Sequence, residues 1–531
     1  MKKYLAPFLV GGVVALAVNY FQSQKTPQTA DKNAPQAVSS EQKIANQDEL
    51  PLATVVAPWE LNSLDPNQSG VIFQRMNLAE TLVEANSQGQ LVPSLATEWH
   101  SNEAGDVWTF SLRPNVKFHN GSELNAQAVA NSLNIALSKP SILKKAFINE
   151  IRVVDPLKIE ISLTKAFMPF PSFLTHYSTI VLAPEAYNDK GEVVQLIGTG
   201  AFKPSKIEAP QKIEAARFDG YWGDKPKLAQ ANYLASSRSE TRMLMAQSEP
   251  SSLVFNLDTA SIERLKSDNK LNITSGSIAR TIQLKMDVAK PFFNDLAVRK
   301  ALSAAINRQA IAESVLKIDN GVADQILPPA FADWRVATQS QPVDFAQIKA
   351  DLTAAGYQFN AEGKLTDKDG KPFSFTLRTF SDRPELPLIA TILQAQWKQI
   401  GIEVNVSVGN FSEIPAGHQD GTLEMALYAL NYGKTIDPFG VIVQDYAKTG
   451  SDWGVMNWSN ESVSNALQQL ETERDPNKIK ALKQQISQVI HDELPIIPIV
   501  YYQQNVVAHK TIKNVELDPF ERRFLLEKLS Q

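Results

Sequence analysis

Between Leu91 and Ala136 the chain reads LVPSLATEWHSNEAGDVWTFSLRPNVKFHNGSELNAQAVANSLNIA, and this stretch constrains local structure more tightly than any other. Trp108, Phe110 and Leu112 alternate with Thr109 and Ser111, the period of two that places one face of a strand in a core. Pro114-Asn115 reads as a turn, Val116, Lys117 and Phe118 are expected to return as a second strand, and Asn120-Gly121 is a dipeptide that tolerates positive φ. Asn125 is the expected N-cap of a helix over 126–136, because its side-chain oxygen accepts from a free amide of the first turn while Val129, Leu133 and Ala136 share one face. The result is a hairpin feeding a helix, a unit with no chemistry of its own.

Two further blocks follow in order. IGTGAFKPSKIEAPQKIEAARFDGYWGDKPKL contains Gly198-Thr199-Gly200 and Tyr221-Trp222-Gly223 with Lys225-Pro226, and PFFNDLAVRKALSAAINRQAIAESVL begins at Pro291. Together with the first block they resemble the extracytoplasmic solute-binding proteins of the peptide and nickel family, the receptors of ABC importers. The resemblance implies an α/β chain with the two-lobed periplasmic-binding-protein fold, type II and of the large kind with an extra subdomain, in which a hinge joins two lobes around a cleft. It also implies capture of a peptide-like or metal-chelate solute without a cofactor and without enzymatic turnover, followed by delivery to a membrane permease and its ATPase.

With 531 residues, 43% hydrophobic and 21% charged, the chain is long enough for more than one core. A formal net charge of −5 argues against nucleic acid as a partner, since phosphate binding needs concentrated Lys and Arg. Cysteine is absent, which excludes disulfides, thiolate metal sites, a cysteine nucleophile and the lipid that many members of the resembling family carry on a cysteine.

The basic start Met1-Lys2-Lys3 and the apolar run from Tyr4 to Phe21 read as a secretory segment, residues 1–21, either cleaved as a signal peptide or retained as an inner-membrane anchor. Residues 22–50 are rich in Gln, Ala, Ser, Asn and Lys and read as a flexible linker. The body is thus expected outside the cytoplasm, in the periplasm. Lobe one is expected over 51–275 and lobe two over 276–489, with 490–531 returning to lobe one. KIEISLTKAF and KIEAARF are strands of the first, β-rich lobe; the strand FSFTLRTF, a helix around 386–400 and the strand IEVNVSV form a right-handed crossover in the second. A single helix is expected over 298–316. The resemblance adds that LPIIPIVYYQQNVVAH helps to build a two-strand hinge.

Gly-x-Ser-x-Gly, His-Glu-x-x-His and a phosphate-cradling Gly-rich motif are all missing from the sequence. His418 with Asp420, and His491 with Asp492 and Glu493, read as solvated surface, and no metal site is expected. The cleft lining is sought instead where aromatic and polar residues sit in loops at strand ends. Trp59 and the stretch 67–73 ending in Phe73 follow the first strand; Tyr432 and Lys434 precede Asp437-Pro438; Asn457 and Trp458 lie in DWGVMNWSN. These six are the expected ligand contacts, whereas Tyr428 and Trp453 read as packing.

The segments in which nickel-binding relatives carry chelator-gripping arginines and a metal-reaching histidine read SILKKAFINE, SFLTHYSTI and DYAKTGSDW here, without arginine. Lys144, Lys145 and His176 are the candidates to substitute. Where peptide receptors present an acid to the ligand's amino terminus this chain has Lys434, which disfavours a free ammonium group. A membrane-tethered sensor or chaperone on the same scaffold, and a peptide or ester hydrolase, are the alternatives. Without a cysteine no diacylglyceryl group has a point of attachment, so intact-mass measurement on membrane and soluble fractions is expected to show no lipid adduct on any species.

Overall fold

Alternation at Trp108, Phe110 and Leu112 produces the expected strand Val107–Leu112, with those three side chains buried and Thr109 and Ser111 facing outward. In the computed structural model, which describes residues 52–530 apart from 340, 382, 384 and 448–450, its partners are Ala96–Ser101 on one side and Lys158–Leu163 on the other. Val116 and Phe118 do not form the returning strand that their pattern predicts. They are buried loop residues, and Lys117 makes a single bridge to Glu123. The segment pairs only with 122–124 across the Asn120-Gly121 turn, the Phe118 amide donating to the Ser122 carbonyl and the Leu124 amide to that of Val116, each at 2.9 Å, which is too short a ladder to count as a strand. The cap is as expected: Asn125 accepts from the Ala128 amide at 2.9 Å and opens the helix Ala126–Ser138. The secretory segment 1–21 and the linker 22–50 lie outside the described residues.

A ten-stranded sheet carries the two lobes. From one edge its order is Glu403–Gly409, Ser374–Phe380, Met425–Asn431, Leu271–Met286, Ile496–His509, Ser252–Phe255, Leu52–Ala57, Gln230–Ala235, Lys212–Arg217 and Phe202–Glu208. The first three lie on one side of the two long middle strands and the last five on the other; the two sides are called the second and the first lobe below. Ser374–Phe380, the helix Glu385–Lys398 and Glu403–Gly409 form the expected crossover between parallel strands, with Leu386, Ile389, Leu393 and Trp397 turned inward. The two middle strands cross between lobes: Leu271 pairs with His509 at one end and Lys285 with Ile496 at the other. Pro498 is tolerated because it sits at an irregularity of this ladder, between the pairs made by Ile282 and Gln283.

The helix expected over 298–316 is two pieces, Leu296–Ala304 and a π-helical turn Ala310–Val315. Asn307 interrupts it by accepting from the Ala310 amide at 2.9 Å, while the Arg308 guanidinium folds back on the Ser303 carbonyl and hydroxyl, each at 2.8 Å. Local side-chain bonds of this kind compete with helix continuation.

The two sequence blocks at Gly198–Gly200 and Tyr221–Gly223 meet on one carboxylate. Glu80 accepts from Thr199 Oγ1 at 2.7 Å, Trp222 Nε1 at 2.9 Å and the Tyr221 hydroxyl at 3.0 Å, and the Arg113 guanidinium lies 4.1 Å from the Trp222 ring. Glycine is required at 198 and 200 because a Cβ would stand 2.3 Å from the Leu78 carbonyl oxygen and 2.1 Å from that of Asn77. Burial pushes the Glu80 carboxyl up, and its three donors pull it back without reversing the direction. Near the chain's end Glu521 ties the lobes together. Its backbone carbonyl accepts from Arg75 Nε of the first lobe at 2.5 Å, and its side chain from Arg280 of the crossing strand at 3.0 Å and from Asn431 Nδ2 of the second lobe at 3.3 Å. Burial opposes the Glu521 charge, but Arg280 and Arg75 outweigh it and hold the carboxyl below its usual range.

Glu80→Ala strips three donors of their acceptor and is expected to lower unfolding free energy by about 3 kcal/mol. Urea denaturation measures this; a loss below about 1 kcal/mol would mean that water satisfies the donors instead.

Candidate functional site

The walls of the two lobes meet beside the crossing strands. The first lobe contributes the turn Ile142–Lys145 and the segment at His176; the second contributes the loop after Met425–Asn431 and the helix Phe439–Tyr446. Asp437 starts that helix by accepting from the Phe439 amide at 2.8 Å through Oδ1, and its Oδ2 pairs with Lys483 Nζ at 2.6 Å. The acid of Asp437-Pro438 is thereby used in holding the loop. The helix lies close to the first lobe, with the Phe173 ring beside Gly440.

The lobes are closed on each other. Lys145 Nζ donates to Gln444 Oε1, and the Phe167 and Phe439 rings lie 6.0 Å apart. At the rim Lys165 pairs with Glu471 at 2.6 Å, the Met168 amide donates to the Glu471 carbonyl at 2.7 Å, and Arg474 Nη2 donates to the carbonyls of Asn102 and Glu103 at 2.7 and 2.9 Å.

A buried chain of polar groups forms the second lobe's side of this junction. Gln283 Nε2 donates to the Tyr428 hydroxyl at 2.9 Å, the Tyr432 hydroxyl donates to Gln283 Oε1 at 2.8 Å, and the Tyr446 hydroxyl lies 3.1 Å from that of Tyr432. Burial pushes all three phenols up. Asp445, only 2% exposed, accepts from Ser451 Oγ at 2.5 Å; burial raises its carboxyl, and Ser451, Lys434, Lys285 and Lys145 act in the other direction. Behind it the buried Lys285 donates to the Asp452 carbonyl at 2.6 Å and approaches His418 Nδ1 at 3.1 Å.

Cations converge on the junction. Burial lowers Lys145, Asp445 raises it, and Lys434 lowers it. His176 is 8% exposed, and burial, reinforced by Arg522, Lys434 and Lys145, brings its imidazole down to about 3. Arg522 itself is held by Glu84 and by the Thr175 carbonyl.

Of the six expected contacts, the structure brings Tyr432 and Lys434 together at this junction. Tyr432 is fully buried in the polar chain, and Lys434 is exposed beside Lys145 and His176. Trp59 is half-buried under the Arg75 guanidinium, 4.3 Å from its ring. Phe73 is a core residue, because the stretch 67–73 is not a loop: Asp65 caps a helix, Pro66–Arg75, that turns Phe73 inward. Asn457 and Trp458 lie apart from the others. Asn457, at φ 56°, donates to Asp287 at 2.7 Å, and Trp458 Nε1 donates to Glu493 at 2.7 Å. Asp287 is four residues along the chain from Gln283, so at 3.3 Å per residue Asn457 sits roughly 13 Å from the polar chain. Tyr428 and Trp453 pack, their rings 5.6 Å apart, as read from sequence. Asp445, Gln444 and Arg522 carried no signal in the sequence; a charge census of segments far apart in the chain cannot show that they meet.

A cavity of about 940 Å³ opens elsewhere, lined by Asn307, Arg308, Asp324, Asp344 and His491, among other residues. Its guanidinium is already engaged by the Pro498 carbonyl at 2.9 Å and by Ser303. Among the described residues, no helix is long and apolar enough to cross a membrane.

Burial draws Lys285 down to about 7, against the pull of Asp445 and Asp452. The unfolded chain therefore binds the extra proton between pH 7 and about 10.4, and this group's contribution rises with pH through that window and is lost as pH falls towards 7. In chemical denaturation at several pH values, the stability advantage of the parent over Lys285→Met is expected to grow from pH 7 to pH 10; a constant difference would count against the depressed lysine.

The description "bacterial extracellular solute-binding proteins, family 5 middle" matches residues 90–453. The chain is 25% identical over 490 residues to the nickel-binding periplasmic protein of Escherichia coli K12, covering 89% of this chain and 92% of that one. It is 25% identical over 460 residues to the dipeptide-binding protein of the same organism, with coverage of 81% and 84%. Over 442 residues it is 26% identical to the glutathione-binding protein GsiB of Salmonella typhi, with coverage of 78% and 81%. Among solved structures, NikA from Brucella suis in complex with Fe(III)-EDTA superposes with a TM-score of 0.81 at 23% identity, over 90% of this chain and 99% of that one. For DppA from Helicobacter pylori in complex with the peptide STSA the TM-score is 0.72 at 21% identity, over 91% and 98%. A match spanning more than half the chain, on a two-lobed fold hinged by crossing strands, places the protein in family 5 of the bacterial extracellular solute-binding proteins.

Proposed function

We infer that this chain is the solute receptor of an ATP-driven importer, working outside the cytoplasm and handing its ligand to a membrane permease. Residues 51–275 with 490–531 act as one lobe and 276–489 as the other. The solute is a peptide-like molecule or a metal chelate, the classes named for its relatives. One observation carries the reading: Lys145 and Gln444, from opposite lobes and 299 residues apart in sequence, are brought into contact beside a continuous pair of crossing strands. Such walls bind by closing and need no bond to be broken, so the protein acts as a receptor and not as a catalyst.

Within this reading Lys434 meets ligand directly, and Tyr432 and Trp59 act through what they hold: Tyr432 through Gln283 and Tyr446, Trp59 through Arg75. Native mass spectrometry of the purified full chain, followed by mild denaturation, is expected to release a copurifying small solute, and small-angle scattering to show compaction when it is returned. Lys434→Asp is expected to weaken that solute about tenfold while improving the binding of dipeptides with a free amino terminus. If the parent binds unmodified dipeptides tightly and the substitution changes nothing, Lys434 faces solvent and the solute is an ordinary peptide.

A further inference from the structure

Four strands, Ala96–Ser101, Val107–Leu112, Lys158–Leu163 and Ile148–Asp155, form a small sheet separate from the ten-stranded one. Val107 pairs with Ser162, so the turn 102–106 and the segment 164–168 leave this sheet at the same end. The turn is built by one side chain: Asn102 Oδ1 accepts from the amides of Gly105, Asp106 and Val107 at 2.8, 3.1 and 3.2 Å, with Gly105 at φ 77°. Glycine enters that left-handed backbone without steric cost. The segment 164–168 is fastened to the turn, since the Leu163 amide donates to the Asp106 carbonyl at 2.7 Å and the Phe167 amide to the Gly105 carbonyl at 3.0 Å. Together they make one stiff prong.

The prong meets the link between two helices of the second lobe, Glu461–Leu470 and Pro476–Glu493. This link is also held by its own side chains: Glu473 Oε1 accepts from the amides of Arg474 and Asp475 at 2.8 and 2.9 Å, and Asp475 caps the next helix through the Asn477 amide at 2.9 Å. Lys165 Nζ, 4.0 Å from the Phe147 ring, reaches the Glu471 carboxylate, 306 positions away in sequence, and the Met168 amide reaches the Glu471 carbonyl. In the other direction Arg474 Nη2 reaches the carbonyls of Asn102 and Glu103. Each bond gains a little over its exchange for water, and several made together by two stiff pieces add up to a preference for the closed pair. The helix Pro476–Glu493 runs on into the crossing strand Ile496–His509, so parting prong from link is coupled to the hinge through one helix.

We propose that the four-stranded sheet works as a clasp arm: its prong binds the 471–474 link and holds the lobes together with groups that belong neither to the polar chain nor to the solute contacts. This rests on the solute-receptor reading and adds to it a hold on the closed arrangement that does not depend on which solute is captured.

The chain has no cysteine, so Glu103→Cys and Thr472→Cys, both at exposed positions, introduce the only two thiols. A short bismaleimide added to the full chain as purified is expected to bridge them, while each single-cysteine chain stays unbridged. In that background Arg474→Ala is expected to slow bridging about tenfold and Lys165→Met about threefold, whereas Arg474→Lys, which keeps a cationic donor, stays within about twofold of the parent. Moderate salt is expected to slow the parent but not Lys165→Met, because the Lys165 side chain is 44% exposed and its pair with Glu471 is open to screening. Thermal melts confirm that every variant is folded. Failure of the parent to bridge, or equal rates for the parent and Arg474→Ala, overturns the proposal. Native mass spectrometry of the same samples separates this from the underlying reading: a solute that copurifies with an unbridged parent leaves the receptor standing without a clasp, whereas a bridged chain that never yields a solute keeps the contact and removes the receptor.

Discussion

Two strands, Leu271–Met286 and Ile496–His509, run side by side through both lobes, and the rest of the molecule is hung on their backbone ladder. The ladder is interrupted twice near its middle, between Ser277 and Thr281 and again between Ile282 and Gln283. Irregularities of this type bend and twist a strand pair where regular pairing would be stiff. They fall where the neighbours change from Ser252–Phe255, bound to 506–508, to Met425–Asn431, bound to 280–286. Bending is concentrated at the boundary between lobes, and each lobe can keep its own core while the angle between them changes. Gln283, one residue past the second irregularity, holds Tyr428 and Tyr432, so the polar chain beneath the cleft is anchored to the hinge itself.

Charge decides what happens when that angle closes. The junction gathers Lys145, Lys434 and Lys285 around the buried Asp445, while Arg522, paired with Glu84, acts on His176. The overall charge of −5 gives no hint of this local excess. A chain can be acidic over its surface, which suits solubility, and still present a cationic interior that is felt at short range.

Periodicity and caps were enough to read the crossover at 374–409 and the helix opened by Asn125, because those depend on neighbours in sequence. The expected strand at 116–118 is reduced to one bridge with 122–124, because the chain leaves at once for the helix opened by Asn125 and no local pattern reports how far a pairing extends. The break at Asn307 was missed because the apolar spacing continues past it while a side-chain bond ends the helix. For the site, the search in loops at strand ends selects Tyr432, Lys434, Trp458 and Phe73 alike, and Tyr432, Trp458 and Phe73 are all buried in the structure. An aromatic residue hidden in a core and one covered by a ligand look alike in a sequence. His176 is singled out in the sequence only through the resemblance, and its surroundings are set by Ser178 beside it and by Arg522, 346 positions later.

At the rim, Arg474 reaches across to the main-chain carbonyls of Asn102 and Glu103 and to no side chain there. Every residue type carries such a carbonyl, so the contact makes no demand on the side chains at 102 and 103, and the receiving loop is free to vary in sequence while the latch across the rim persists.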